Sequence, residues 1–561
     1  MAGLFRSFDP SADQDIRAPG RDPRAALWVT CPLVILALLC IYLLFRTLAF
    51  FDPSYRPIDR VASVLLFGSE LFNFAHAIGY LLGTVKARRS YRVPQEHMLA
   101  AFVEPPVAVL IASFNEPREV LEDTVVAASG MDYSRKALYL VDDSTKEEAR
   151  QGAEELAARY GARLVRRAER RGYKAGAIND ILPHLQEPYM AVFDADARPV
   201  STFLRDLIPL IDRDPALGFV QTPQFYEGTE SLPVASVAAT QQAVFFEYIC
   251  EGKGISEAMF FCGTNGIFRR EALLSIGRRV GGRIEYFDES SVTEDFATSL
   301  TLHQRGWRSL YYNRVYVYGM GPETLTAYFT QQMRWAMGNL GIFPRLLVDM
   351  LRRPRSLRLG QWWEYLLSCT YYFVGWANFV FIIMPILFLL CGVRPLIADP
   401  VAYLAAFVPY FATSLSLFYV SLAWRGYRVR DLWLGQALGF ATFWIYMKAA
   451  AAAMLGRKRA FGVTPKGVGG RLPLRALWPQ ATIMVLSYAA GVWGALRFLY
   501  LDPAMTLLIN VLWAWYHVAL LVPLFCYFNR PVEIEGRTSL FDRYLLEQAA
   551  SGMLDSPERR R

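Results

Sequence analysis

Charge is scarce in this sequence. Acidic and basic residues fill 20% of its 561 positions, against about 25% in an ordinary soluble domain. With 54% apolar residues, the shortfall argues against a wholly soluble chain. Histidine is scarcer still, with five scattered residues. No His-Glu-x-x-His pair occurs, which excludes that class of zinc enzyme. The seven cysteines contain no Cys-x-x-Cys, so neither a zinc site nor a disulfide framework is expected. Cys31, Cys40, Cys369, Cys391 and Cys526 sit in or beside apolar stretches. No small-x-small cleavage site follows the first apolar run, Leu27 to Phe50. That run exceeds the roughly 7 to 15 residues of a signal-peptide core, so a cleavable leader is not expected.

What charge there is carries a net +8. Its basic clusters, Arg21 to Arg24, Lys86 to Arg89, Arg352 to Arg358 and Arg457 to Arg459, lie beside apolar stretches. That placement is the mark of membrane flanks meeting anionic lipid. Membrane lipid is therefore the expected partner of these clusters, and nucleic acid is not.

Hydropathy divides the chain. A polar tail, 1–26, precedes two apolar stretches within 27–84, at 27–50 and 61–84. Each exceeds the roughly 20 residues that cross a bilayer. Residues 90–345 have soluble composition. Residues 346–455 hold apolar stretches at 366–392, 401–424 and 431–455. A basic loop spans 456–475, two more apolar stretches fill 479–528, and a polar tail covers 529–561.

Within 90–345, short runs rich in Val, Ile and Leu read as buried parallel strands: Val107 to Ala112, Ala137 to Val141, Tyr189 to Phe193 and Gly218 to Thr222. Helical patterns at Val120 to Ser129, Lys146 to Tyr160 and Ala175 to Leu185 lie between them. The alternation predicts an open α/β sheet, with ligands beyond the carboxyl ends of its strands. The loops 51–60, 393–400 and 501–503 carry few uncompensated basic residues and are placed outside. The α/β domain, both tails and the basic loop are then cytosolic. This orientation makes 431–455 a helix along the cytoplasmic interface, with two spans before the domain and four after it. A seventh span is the alternative that length and hydropathy would accept.

Four motifs sit at strand ends or helix starts. They are Asp142-Asp143-Ser144, Asp194-Ala195-Asp196, Thr293-Glu294-Asp295 and Gln331-Gln332-Met333-Arg334-Trp335. Two carboxylates one residue apart, as in Asp194 and Asp196, repel unless a cation lies between them. Mg²⁺ takes one or two carboxylates plus substrate phosphates and stabilises a diphosphate leaving group. Singly, each motif also reads as a turn or a capped helix start.

In this order the motifs resemble those of processive family 2 glycosyltransferases, and especially bacterial cellulose synthase catalytic subunits. Ala112-Ser113-Phe114-Asn115-Glu116-Pro117 looks like their first-strand nucleotide motif, and Lys174-Ala175-Gly176 like their segment near the diphosphate. Phe261-Cys262-Gly263-Thr264 is similar to their acceptor loop, and Phe461-Gly462-Val463-Thr464-Pro465-Lys466 to their FxVTxK gating loop. The resemblance covers roughly 60–530. Asp-Asp-Ser stands where Asp-Asp-Gly is usual. The tail after 529 is too short for a cyclic-di-GMP-binding barrel, so direct activation by that nucleotide is not expected.

The resemblance implies a membrane α-helical protein with a cytosolic α/β domain of the GT-A type, in the cytoplasmic membrane. It implies Asp295 as general base beside Glu294 and Thr293, and Asp194 and Asp196 as ligands of Mg²⁺ or Mn²⁺. Ser113, Glu116, Asp142, Asp143, Lys174, Gln331, Arg334 and Trp335 would bind the donor, with Phe461, Thr464 and Lys466 closing over it. Phe261, Cys262, Gly263 and Trp335 would meet the acceptor. The implied partners are a UDP-sugar, a growing polysaccharide and accessory subunits in the membrane or periplasm. The implied product is a β-glucan from UDP-glucose, with other glucan linkages or an N-acetylglucosamine polymer as rivals. An exporter or scaffold with a degenerate transferase domain is the reading outside enzymes. Intact Asp194, Asp196, Asp295 and Arg334 argue against it.

Overall fold

The computed structural model describes residues 27–87, 102–227, 229, 232–423, 426–456 and 471–530. The described residues open with two long helices, α1 (Leu27–Phe50) and α2 (Pro57–Ala87). An α/β domain follows: β1 (Val107–Ser113), α3 (Arg118–Ser129), β2 (Lys136–Asp142), α4 (Glu147–Tyr160), β3 (Arg163–Val165), α5 (Tyr173–Ile181), β4 (Tyr189–Asp194) and β5 (Arg198–Pro199). It continues through α6 (Phe203–Arg213), β6 (Leu217–Gln221), β7 (Gln224–Tyr226), α7 (Pro233–Val244), a π-helical turn (Phe245–Cys250), α8 (Glu251–Ile255), β8 (Gly266–Arg269) and α9 (Arg270–Ser275). A hairpin of β9 (Arg278–Val280) and β10 (Arg283–Glu285), then α10 (Glu294–Gln304), β11 (Arg308–Tyr311) and β12 (Val317–Gly319), complete the domain. The remaining helices are α11 (Leu325–Arg352), α12 (Leu359–Thr370), α13 (Val374–Cys391), α14 (Pro400–Ala423), α15 (Val429–Ala441), α16 (Phe443–Met454), α17 (Trp478–Tyr500) and α18 (Met505–Pro523).

The main sheet runs β11-β6-β8-β4-β1-β2-β3. Strand alternation explains why it is buried on both faces. Val107, Val109 and Ile111 pack with Leu121 and Val125 of α3. Ala108 and Leu110 point the other way, onto Ile178 and Ile181 of α5. The four strands expected from apolar runs are all present. The sheet is not uniformly parallel, however: β8 lies antiparallel between β4 and β6. Parallel pairs join β1 to β2 and β4, β2 to β3, and β6 to β11.

Local signals set the helix ends. Gly161, at φ 67°, closes α4 in the left-handed cap that glycine adopts without strain. The Thr324 side chain accepts from the Ala327 N–H and starts α11. α10 packs its Phe296 and Leu300 against Ile342 and Leu346 of α11 and Trp362 and Tyr365 of α12. The last α/β helix is thereby welded to the helices that follow the domain.

Among the described residues six helical segments are long and apolar enough to cross a bilayer, or seven if a bent pair crosses as one: Thr30–Phe50, Pro57–Gly83, Leu359–Cys391, Pro400–Ala423, Leu474–Tyr500 and Met505–Phe528. Leu44, Leu48, Val485 and Leu499 expose most of their side chains on these segments, as lipid-facing residues do. This is a membrane protein. The region 431–455 is two helices, α15 and α16, bent by 42°. Thr442 sits at the break, its hydroxyl donating to the Leu438 carbonyl at 2.7 Å.

The α/β domain is tied to the membrane helices by a buried ion cluster. Lys253 of α8 and Lys86 of α2 reach the two carboxylate oxygens of Glu364 of α12, at 3.0 and 3.1 Å.

Candidate active site

The carboxyl ends of β1, β2 and β4 form one rim. The Asp143 N–H donates to the Ser113 carbonyl at 3.0 Å. Asn115 stands at φ 54°, and its side-chain oxygen accepts from the N–H groups of Thr145 and Lys146 at 2.8 and 2.9 Å. The loops after β1 and β2 are thus laced together. Ser113, Glu116 and Asp143 line a cavity of about 910 Å³. Asp142, expected beside them, does not. Its carboxylate accepts from Arg166 Nε at 2.9 Å and from the Ser144 N–H at 3.1 Å, and it supports the loop from beneath. Arg167 clamps Asp143 with both ends of its guanidinium. Arg170 stacks over Phe114 at 3.6 Å on the same wall.

Asp194 and Asp196 follow β4 into the cavity. Lys174, at the start of α5, donates to Asp194 Oδ1 at 2.5 Å and to the Gly263 carbonyl at 2.6 Å. Gly176 lets the loop before α5 close onto the helix, because a Cβ there would fall 2.1 Å from the Arg171 carbonyl. Among the described residues no group of three or more His, Cys, Asp or Glu side chains could hold a metal ion. Two carboxylates completed by substrate phosphate oxygens do match the habit of Mg²⁺. The Lys174 ammonium on Asp194 shows that this position already accepts a cation. The residues therefore fit a divalent ion that arrives with its substrate.

Across the cavity lies the start of α10. Asp295 faces the cavity, and its Oδ1 accepts the Phe296 N–H at 2.8 Å. Burial raises its carboxyl above the ordinary Asp range. The Phe296 N–H, Lys174 and Arg334 pull the other way without cancelling that. Burial, and then the neighbouring Asp295, raise Glu294 as well. Thr293 lines the cavity and Glu294 does not. Repulsion between the two carboxylates disfavours ionising both at once.

Gln331, Arg334 and Trp335 come from one face of α11 and line the cavity. Gln332 joins them, held by the Tyr446 hydroxyl of α16 at 2.7 Å. The expected acceptor loop divides its work. Phe261 turns into the core, edge-on to Phe268 at 4.8 Å. Cys262 lines the cavity, with its N–H on Gln221 Oε1 at 3.0 Å. Gly263, at φ 87°, offers its carbonyl to Lys174. A Cβ on Gly263 would lie 3.2 Å from Asp295 Oδ2. Phe461, Thr464 and Lys466 lie outside the described residues.

Several cavity residues carry no motif and escape a reading of the sequence. Tyr226 of β7 reaches Gln331 at 3.5 Å, and burial pushes its hydroxyl up to about 12. Glu323 and the Arg170–Phe114 stack also line the wall. Phe114 lies inside the Ser113–Glu116 segment, which was the available signal. The cavity continues between His76 and Tyr80 of α2, Gln241 of α7, and Gly435 and Gly439 of α15. The Tyr328 hydroxyl donates to Gln241 Oε1 at 2.8 Å, and Gln241 Nε2 to the Gly435 carbonyl at 2.6 Å.

Residues 105–338 match the family described as Glycosyltransferase like family 2, and residues 277–455 the family described as Cellulose synthase. The UDP-forming cellulose synthase catalytic subunit of Komagataeibacter sucrofermentans is 28% identical over 426 residues, 73% of this chain and 54% of that protein. Its counterpart in Pseudomonas fluorescens is 27% identical over 428 residues, 74% of this chain and 55% of that protein. The chain thus spans about half the length of these curated relatives. Among solved structures, the mannosyltransferase PcManGT of Pyrobaculum calidifontis, in complex with GDP-Man and Mn²⁺, aligns with a TM-score of 0.45 at 18% identity. It covers 71% of this chain and all of that one.

Proposed function

We propose that this chain, in which a family 2 glycosyltransferase domain runs into a membrane region of the cellulose synthase type, polymerises a UDP-sugar into a β-linked polysaccharide and passes it across the membrane. Glucose is the preferred sugar and a β-glucan the preferred product. The observation that carries the reading is one cavity. Asp194, Asp196, Asp295, Arg334 and Trp335 all open onto it, and it continues among the helices beyond the domain.

Asp295 is the general base. It takes the proton of an acceptor hydroxyl, from about 3 Å or less, as that oxygen attacks the donor sugar. The displacement is direct and inverts an α-linked donor into a β-linked product, so no covalent nucleophile is needed. Arg334 sets positive charge beside the departing diphosphate. Ser113, Glu116 and Asp143 hold the nucleotide, and Trp335 gives the acceptor sugar an aromatic face. Asp194 and Asp196 would hold Mg²⁺ or Mn²⁺, which neutralises charge on the diphosphate when bound. Phe461, Thr464 and Lys466 serve as a lid. The basic flanks support a cytosolic catalytic domain and an exit on the opposite face. Accessory subunits would meet the polymer there.

Beyond the domain the cavity is lined by amide and aromatic side chains, Gln241, Gln436, Asn378, Tyr371, Phe440 and Tyr446, and its charges there, Lys253 and Glu364, pair with each other. Such a lining favours a neutral sugar chain over one bearing carboxylates. The test is reconstitution in inside-out vesicles with labelled UDP-glucose or UDP-N-acetylglucosamine. The expected product comes from UDP-glucose, yields to a β-glucanase after detergent, and resists the enzyme before it. Incorporation from UDP-N-acetylglucosamine alone would replace the donor. Product wholly digestible without detergent would assign export to another protein.

A further inference from the structure

Lys174 is engaged twice, and the two partners belong to opposite halves of the site. Its ammonium lies 2.5 Å from Asp194 Oδ1 and 2.6 Å from the Gly263 carbonyl. It is largely shielded, at 18% exposure, while Asp194 is 43% exposed. We propose that Lys174 is an internal counter-ion that competes with the divalent cation for Asp194. Through the Gly263 carbonyl it also couples the arrival of the donor to the acceptor loop. This rests on the cation-dependent donor binding proposed above.

Charge and reach carry the argument. A dication on Asp194 and an ammonium on the same carboxylate repel each other at the few ångströms that separate them, even with that carboxylate partly open to water. Lysine holds its charge on a flexible four-carbon stem with three rotatable donors, so it can move where arginine's fork could not. The diphosphate that accompanies the cation is the new anion within its range. When Lys174 turns to it, the Gly263 carbonyl loses its donor.

The neighbouring anchors stay in place. Thr264 Oγ1 still accepts the Asp194 N–H at 3.0 Å, the Cys262 N–H still holds Gln221, and Phe261 remains in the core. Only the peptide at Gly263, already at φ 87° and beside Asp295 Oδ2, is released. The acceptor loop therefore adjusts next to the base once the donor is seated. Lys174 acts here as a positioning residue as well as a phosphate contact.

The test uses the full chain in detergent, with Mn²⁺ followed by electron paramagnetic resonance. Lys174→Met keeps the stem and removes the charge. Mn²⁺ alone is expected to bind Lys174→Met at least about ten-fold more tightly than the wild type, while UDP in the presence of Mn²⁺ binds more weakly. A lysine that merely supported the fold would weaken both. An affinity for Mn²⁺ alone no higher than wild type overturns the competition. Absence of Mn²⁺ binding to the wild type with UDP present overturns the cation reading itself, a distinguishable failure.

The coupling is read separately, from hydrogen–deuterium exchange of the amides at Gly263 and Thr264, followed by mass spectrometry without ligands. They should exchange at least about five-fold faster in Lys174→Met. An unchanged rate removes the coupling.

Discussion

Gly338 of α11 and Thr293, at the start of α10, are in such close contact that a Cβ on Gly338 would lie 2.2 Å from Thr293 Cγ2 and 2.6 Å from its Oγ1. The helix that presents Gln331, Arg334 and Trp335 therefore rests directly on the turn that presents Asp295. Alanine at a helical glycine ordinarily gains about 1 kcal/mol. Here the overlap costs about 1–3 kcal/mol, so the clash wins. Gly338→Ala should lower polymer synthesis about ten-fold or more with membrane expression retained. Gly341→Ala is the control, since nothing lies within 4 Å of its Cβ position. It should leave synthesis unchanged. Radiolabel incorporation in isolated membranes reads both.

Asp295→Asn should cut synthesis by at least about 100-fold, the lower range for removing a general base. UDP binding should persist, because the nucleotide contacts lie across the cavity. Equilibrium dialysis with labelled UDP, run beside the synthesis assay, separates the two effects. Near-normal incorporation would take Asp295 out of the base role.

The pH profile follows from the raised Asp295 carboxyl. A base must be ionised to accept a proton, so activity is present above its pKa and lost as pH falls through it. Burial moves that limb above the ordinary Asp value of about 3.9. Initial rates across pH 4 to 8 should therefore fall on the acid side while UDP still binds. An acid limb at or below about pH 4 would contradict the burial of this carboxyl.

Thr464→Ala changes neither charge nor hydropathy much, so a loop that only meets lipid headgroups should tolerate it. A lid that excludes water from the reacting centre should not. The expected result is a large fall in synthesis rate at saturating UDP-sugar, with insertion intact. Wild-type rates in both Thr464→Ala and Phe461→Ala would return the segment to a plain basic loop.

The strands that carry the donor rim were legible because their apolar runs are continuous, as burial on both faces requires. β8 was not. Gly266–Arg269 is four residues long, too short to show a period, and its antiparallel course depends on partners distant in sequence. The motif residues were legible as a set, but the division of labour within them was not. Asp142 and Asp143 are adjacent and chemically identical. Only the positions of Arg166 and Arg167, 24 residues on, send one carboxylate beneath the loop and leave the other on the wall. Phe261 looked like part of an acceptor surface and is instead that loop's anchor in the core. The broken helix at Thr442 was hidden for a similar reason. The residues around the break are apolar on both sides, and a single hydroxyl bonded back to Leu438 marks the bend.

The antiparallel course of β8 has a consequence for how such a site can change. Its first residue, Gly266, pairs with Val192 near the end of β4 and with Gln221 at the end of β6. The segment that enters β8 therefore reaches the same rim as the segments that leave β1, β2 and β4. The proposed nucleotide contacts ride on exits from the sheet, and the proposed acceptor loop rides on an entrance to it. A graft of the residues between α8 and β8 would thus exchange the acceptor side while every donor strand kept its register. Such a graft would have to preserve the contacts that cross the seam, Lys174 with the Gly263 carbonyl and the Asp194 N–H with Thr264 Oγ1.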